Sequence, residues 1–130
     1  MTTQRRVVVE AARKRRSPEL QAIRVLVLPD EDPDTSYLDQ DEFEDRRKAY
    51  RQGDFSFVGI RAEAQIVVDG IAQTIVSGGL WGVESDSGDA YILEVAGEEY
   101  NDLRRILKTL GVPTSELPAK VEPSQVEWRV

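Results

Sequence analysis

Asp69-Gly70 stands between two apolar-rich runs, and no other feature of the sequence limits its fold as strongly. From Phe55 to Val68 the period is two: Val58, Ile60, Ala62, Ala64, Ile66 and Val68 alternate with Arg61, Glu63, Gln65 and Val67. Such alternation marks a strand with one buried face. Ile71–Val76 follows at once. An Asp-Gly connection suits a type I′ turn, which needs φ > 0 at both central residues, so the two runs are predicted to form an antiparallel hairpin.

Elements on either side extend that hairpin into a domain. Residues 22–28 (Ala-Ile-Arg-Val-Leu-Val-Leu) read as a first strand ended by Pro29. A helix is predicted over roughly 37–51. Ser36 is its N-cap and Asp39 a short-armed capping-box partner. Acids lead and bases follow along it, which complements the helix dipole. Its apolar face is thin, only Leu38, Phe43, Ala49 and Tyr50, so the helix is expected to dock lightly. Ser77–Val83 carries three glycines around Leu80 and Trp81 and is predicted to bulge or bend sharply. A turn at 84–89 and a strand at Ala90–Val95 follow. A final helix over about 98–110 shows the stripe Tyr100, Leu103, Leu107, Leu110, with Gly111 and Pro113 closing it.

The resulting class is α+β: a mostly antiparallel sheet of four to five strands with two helices on one face, in the order β-α-β-β-β(-β)-α, and flexible polar termini. Residues 1–19 read as a basic N-terminal arm, 20–112 as a single domain and 113–130 as a Pro-containing C-terminal tail that Val126 and Trp128 can anchor. The helix–three strands–helix portion shares its element order with double-stranded-RNA-binding domains. That likeness is one of order alone and carries no function.

Charge and missing residue types narrow the chemistry. The net charge is −7, distributed unevenly: residues 1–29 carry seven Lys/Arg against two Asp/Glu, and residues 30–130 carry ten against twenty-two. An acidic body repels nucleic-acid phosphates, while the cluster Arg13-Lys14-Arg15-Arg16 can contact phosphate weakly. The 130 residues include no Cys and no His. Thiol chemistry, Ser-His-Asp and Cys-His catalysis and zinc sites built on those ligands are thereby excluded. No cofactor is expected. No run approaches membrane-spanning length, and the expected location is cytoplasmic.

Four segments remain as carriers of function. Asp30-x-Asp32-x-Asp34 opens like a calcium loop, but its sixth and twelfth positions hold Thr35 and Asp41 where that loop needs Gly and Glu, so a solvated acidic turn is the expectation. Asp39, Asp41, Glu42, Glu44 and Asp45 form a candidate acidic surface, able to imitate a phosphate backbone, although bases at 46–51 interrupt it. Asp54, Glu63 and Gln65 make a poor metal-nuclease set, since Gln65 stands where a Lys is wanted. The least generic segment is Ser77–Asp89. There Trp81, Glu84, Ser85, Asp86, Ser87 and Asp89 are candidate contacts for a partner or ligand, against a bland reading of Trp81 as a core anchor in a structural bend.

With Tyr37-Leu-Asp-Gln-Asp41 and Val58-Gly-Ile-Arg-Ala62, the segment Ser77-Gly-Gly-Leu-Trp-Gly…Glu84-Ser-Asp-Ser-Gly88 resembles a family of small acidic proteins of bacteria, their plasmids and phages. The resemblance spans roughly residues 25–111. That family has no assigned activity, so the resemblance implies no catalytic residue, only a bacterial accessory protein of the kind that mobile elements carry. The sequence thus leads to a non-enzymatic protein acting through protein contacts. An acidic nucleic-acid mimic and, more remotely, a carboxylate-metal enzyme are the alternatives.

Overall fold

The structure is a computed structural model and describes residues 18–130. The Arg13–Arg16 cluster, and with it nearly all of the basic arm, lies outside the described residues. In chain order the elements are β1 (Glu19–Pro29), 3-10 turns at Ser36–Asp39 and Asp41–Phe43, α1 (Glu44–Arg51), β2 (Phe57–Val68), β3 (Ile71–Val76), β4 (Leu80–Glu84), α2 (Asp89–Thr109), a 3-10 turn at Pro123–Gln125 and β5 (Val126–Trp128). This is an α+β fold with a five-stranded, mostly antiparallel sheet.

β2 is the centre of the sheet. One of its edges pairs antiparallel with β1 along nearly its whole length. The other edge is shared end to end by β3, which pairs with residues 63–68, and β4, which pairs with residues 57–60. The hairpin turn forms as its residues require: Asp69 has φ 53° and Gly70 φ 80°. The predicted irregularity is present too. Backbone at Ser77-Gly78-Gly79 separates β3 from β4, and the β2–β4 register shifts between Val58 and Ile60. In a meander β4 would pair with β3. Here it returns to β2, so the order shared with double-stranded-RNA-binding domains is not accompanied by that strand arrangement.

The core follows the period-two pattern. Val58, Ile60, Ala62, Ala64 and Ile66 of β2, with Val25 and Val27 of β1 and Val83 of β4, meet Ile92, Val95, Ala96, Tyr100, Leu103 and Leu107 of α2. Ala62 and Ala64 matter because small side chains let α2 lie close to the sheet, and both are fully buried.

Six sequence expectations change. Ala90–Val95 is the first part of α2, not a strand: Ile92, Val95, Ala96, Glu99, Tyr100, Leu103 and Leu107 form one stripe at helical spacing, and burying that stripe outweighs the local β-propensity. Leu110, assigned to the stripe, is half exposed. The helix expected over 37–51 is broken. Gln40 is extended (φ −72°, ψ 145°), and the α-helix begins only at Glu44. Ser36 caps nothing; instead its N–H and Oγ–H donate to Asp34 Oδ1 at 3.0 and 2.7 Å.

The two helices also do not share a face. Phe57 and Glu84 are opposite one another and point away from Val58 and Val83, which face α2. Leu38, Phe55 and Phe57 form a separate cluster with Tyr37, Phe43, Ala49 and Tyr50, which holds α1 on the second side. Finally, 113–130 is no loose tail. β5 adds to β1 in parallel, Val121 and Val126 pack on the core, and Tyr100 Oη donates to the Pro118 carbonyl at 2.7 Å.

Candidate functional site

The segment 77–89 is held at both ends by side chains distant in sequence, Glu99 at one and Arg46 at the other. At its start the small residues bring backbone close to α2. Ser77 Oγ donates to Glu99 Oε1 at 2.8 Å and accepts from Ala62 N–H at 2.9 Å, and Gly79 N–H donates to the same Glu99 oxygen at 2.7 Å. Ser77 and Glu99 are the buried polar residues of the described chain. Their mutual bonds offset the cost of burying them. The helix expected over about 98–110 places Glu99 in its first turn; the signal of its burial is its place between Val95 and Leu103 in the apolar stripe.

At the far end a knot of charge and aromatic rings closes the segment. Arg46 of α1 donates to Glu84 Oε2 at 2.7 Å and to both Asp86 oxygens at 2.6 and 2.9 Å, and its guanidinium lies 4.0 Å from the Phe55 ring centroid. Tyr37 Oη donates to Glu84 Oε1 at 2.5 Å. The Arg46 hydrogen bonds hold the Asp86 carboxyl below its ordinary range. Burial, then the bond to Glu84, push the Tyr37 phenol up to about 12. Ser85 and Ser56 exchange bonds, with Ser85 N–H donating to the Ser56 carbonyl at 2.8 Å and Ser56 N–H to Ser85 Oγ at 2.9 Å. Ser87 Oγ donates to the Glu84 carbonyl at 2.6 Å. Glu84, Ser85, Asp86 and Ser87 are thus engaged in shaping the turn. Asp89 is exposed at the first residue of α2 without a capping bond.

Between these anchors Trp81 is presented outward. It is 42% exposed, so the reading of a core anchor does not hold. Its ring lies flat against Gly59 of β2, where any Cβ would collide with it. Leu80 (39%) and Tyr91 (42%) are exposed beside it, and with Tyr37, Gly82 and Ser87 they line a shallow depression. Asp30 borders this ledge, its carboxylate accepting from Gly82 N–H at 2.8 Å. Tyr91 and Leu80 were missed by sequence reasoning because the first was assigned to a strand and the second to a bend.

The remaining acids stay apart. Asp30 also accepts from Asp32 N–H at 3.2 Å, and Asp34 is bound to Ser36. Glu63 pairs with Arg61 at 2.7 Å, and Gln65 accepts from Thr74 at 3.0 Å, so neither joins Asp54. Among the described residues no three carboxylates converge as metal ligands would. Asp39, Asp41, Glu42, Glu44 and Asp45 are all exposed. No described helix is long and apolar enough to cross a membrane.

Comparison with known protein families, curated proteins and solved structures finds no match for this chain.

Proposed function

We propose that this protein is a non-enzymatic interaction protein that docks a segment of another protein on the ledge of Leu80, Trp81 and Tyr91. The carrying observation is the outward presentation of Trp81 on a glycine that no other residue can replace without displacing the ring. An aromatic side chain held rigid and half exposed is the kind of residue that dominates binding energy at protein interfaces. The border carries acid, with Asp30 bonded to Gly82 N–H, Glu31, Asp32 and Asp34 following it in the chain, and Asp89 exposed at the start of α2. The fitting partner is therefore an apolar residue flanked by Lys or Arg. A cytoplasmic accessory role belongs to the same proposal and rests on the absence of Cys and on the family resemblance.

Selection from a displayed random-peptide library, run in parallel on the wild type and on Trp81→Ala, tests this reading. Peptides with an aromatic or branched residue beside Lys/Arg should be enriched on the wild type and lost on the variant. Equal enrichment on both baits, or none on the wild type, contradicts it.

One observation favours a second reading, the acidic mimic of nucleic acid. The bases that interrupt the acidic surface are partly withdrawn: Arg46 is bound to Glu84 and Asp86, and Arg47 donates to the Leu38 carbonyl at 2.9 Å. The row from Asp39 to Asp45 is correspondingly less interrupted than the sequence suggests. Displacement of labelled duplex DNA from DNA-binding proteins, suppressed by raised salt and by neutralising Asp39, Glu42 and Asp45 together, is the result that reading requires.

A further inference from the structure

Besides β1 over residues 19–24, where Glu19 and Arg24 bring charge to the edge, three strands of the described sheet have an unpaired edge, and two of them are protected. β5 is three residues long and flanked by the Glu127–Arg129 ion pair. β4 has its Gly82 N–H capped by Asp30. β3 has neither device: Ile71-Ala72-Gln73-Thr74-Ile75-Val76 contains no charge and no proline, and it pairs with β2 alone. An uncharged open edge of this length is a template for another strand, and folded proteins ordinarily blunt such edges.

The backbone facing outward from β3 can be identified. Ser77 N–H donates inward to the Ala62 carbonyl at 2.9 Å, and the β2–β3 register continues without a shift. Alternation along an antiparallel ladder then turns Ile71, Gln73 and Ile75 towards β2 and leaves the N–H and C=O groups of Ala72, Thr74 and Val76 pointing out. These three residues are symmetric about Thr74.

We propose that β3 pairs antiparallel with β3 of a second copy of this chain, about a two-fold axis through Thr74. Thr74 then faces Thr74 of the other copy, and Ala72 faces Val76 in both directions. Each facing pair exchanges two N–H···O bonds, and every outward backbone group finds a partner. Side chains agree with this register. Opposed residues lie on the same side of the joined sheet, threonine against threonine and alanine against valine, with no charge to be matched.

The helix layer continues the strip. Gly78 with Asp102, Ile106, Thr109 and Leu110 lines a groove on the β3 side of α2. Glu99 is level with Ser77 through their hydrogen bond. Three strand residues further on is about 10 Å, or about seven helix residues, which brings Ile106 level with Thr74. The two-fold axis therefore brings Ile106 towards its own symmetry mate. It also covers Ile71 (61% exposed), Val76 (42%) and Leu110 (50%), whose exposure is otherwise unexplained.

Charge selects a second copy as the occupant. The charged side chains bordering the strip are paired within the chain, Arg61 with Glu63 and Arg105 with Asp102. Asp69 at the hairpin turn is the acid left at the end of the strip, so along β3 itself a basic partner strand finds none, whereas two copies of a chain of net charge −7 meet with least repulsion along this uncharged strand.

Sedimentation equilibrium on the full chain over a range of concentrations tests the proposal, together with two variants. Thr74→Pro removes an outward N–H from each copy and no backbone bond to β2, although the Thr74 Oγ–H bond to Gln65 goes with it; it should weaken the dimer about 30- to 100-fold. Leu110→Glu should also shift the equilibrium towards monomer, and it decides the matter if Thr74→Pro does not fold. Because the chain has no cysteine, single replacements report the register. Thr74→Cys should form an interchain disulfide under mild oxidation much faster than Gln73→Cys, which lies on the opposite side of the strand. Trp81→Ala should leave the dimer intact, which keeps this test separate from that of the ledge. A chain that stays monomeric at all concentrations, a dimer indifferent to both Thr74→Pro and Leu110→Glu, or equal cross-linking of the two cysteine variants overturns the proposal.

Discussion

The two sides of β2 are built from different materials. Towards α2 it presents Val58, Ile60, Ala62, Ala64 and Ile66, aliphatic throughout and each buried. Away from α2 it presents Phe57, Gly59, Arg61 and Glu63, covered by an aromatic cluster at one end and by the Trp81 ring over Gly59. Non-directional apolar burial holds the first side. Rings, ion pairs and a glycine platform hold the second, and each of those fixes a geometry more than it adds stability. Trp81 thus sits on the side away from the aliphatic core, and Leu80, with Tyr91 of α2, meets it at the β4 edge.

Substitutions can break this division in order of expected size. Leu103→Ala removes a fully buried α2 side chain and should cost about 3 kcal/mol in chemical denaturation, with the ledge still able to bind while the chain is folded. Glu99→Ala leaves Ser77 Oγ–H and Gly79 N–H without their acceptor and should cost about 2 kcal/mol. It should also loosen the bend that carries Trp81, seen as faster amide exchange at Gly79. Trp81→Ala should cost less, about 1 kcal/mol, because much of the ring already meets water. A loss as large as that of Leu103→Ala would erase the contrast between the sides.

Smallest is the charge knot. Arg46→Ala should cost about 0.5 kcal/mol, since its partners are partly solvated. The knot is also sensitive to pH in a defined direction. Asp86 has a depressed carboxyl, so its contribution is complete above the ordinary carboxylate range and is lost as pH falls through its lowered range. Tyr37 has a raised phenol, so its contribution is complete below pH about 10 and lost as pH rises towards about 12. Tyr37→Phe should make the alkaline limb of the stability profile shallower, the rest belonging to Tyr100, whose phenol burial also raises, and leave the acid limb in place.

The sequence announced the α2 side and concealed the other. Strict alternation in 55–68, the Asp69-Gly70 turn and the stripe Tyr100, Leu103, Leu107 are periodic signals that burial enforces, and each is present in the fold. Ala90–Val95 misled because a short apolar run fits strand or helix equally until the stripe is followed through Glu99. Leu38, Phe43, Ala49 and Tyr50 were legible as the thin apolar face around α1, but not the side of the sheet it covers. Arg46, Glu84 and Asp86 meet across some forty residues, a contact that no local pattern encodes. For the site, Trp81 was singled out in the right segment, yet its exposure depends on Gly59, more than twenty residues earlier.

The most direct measurement is the fluorescence of Trp81 in a Trp128→Phe chain, where it is the sole tryptophan. The account predicts red-shifted emission from the folded protein and ready quenching by acrylamide, both reversed when a selected peptide binds. Blue-shifted emission protected from quencher in the free protein would return Trp81 to the core and contradict the separation of the two sides.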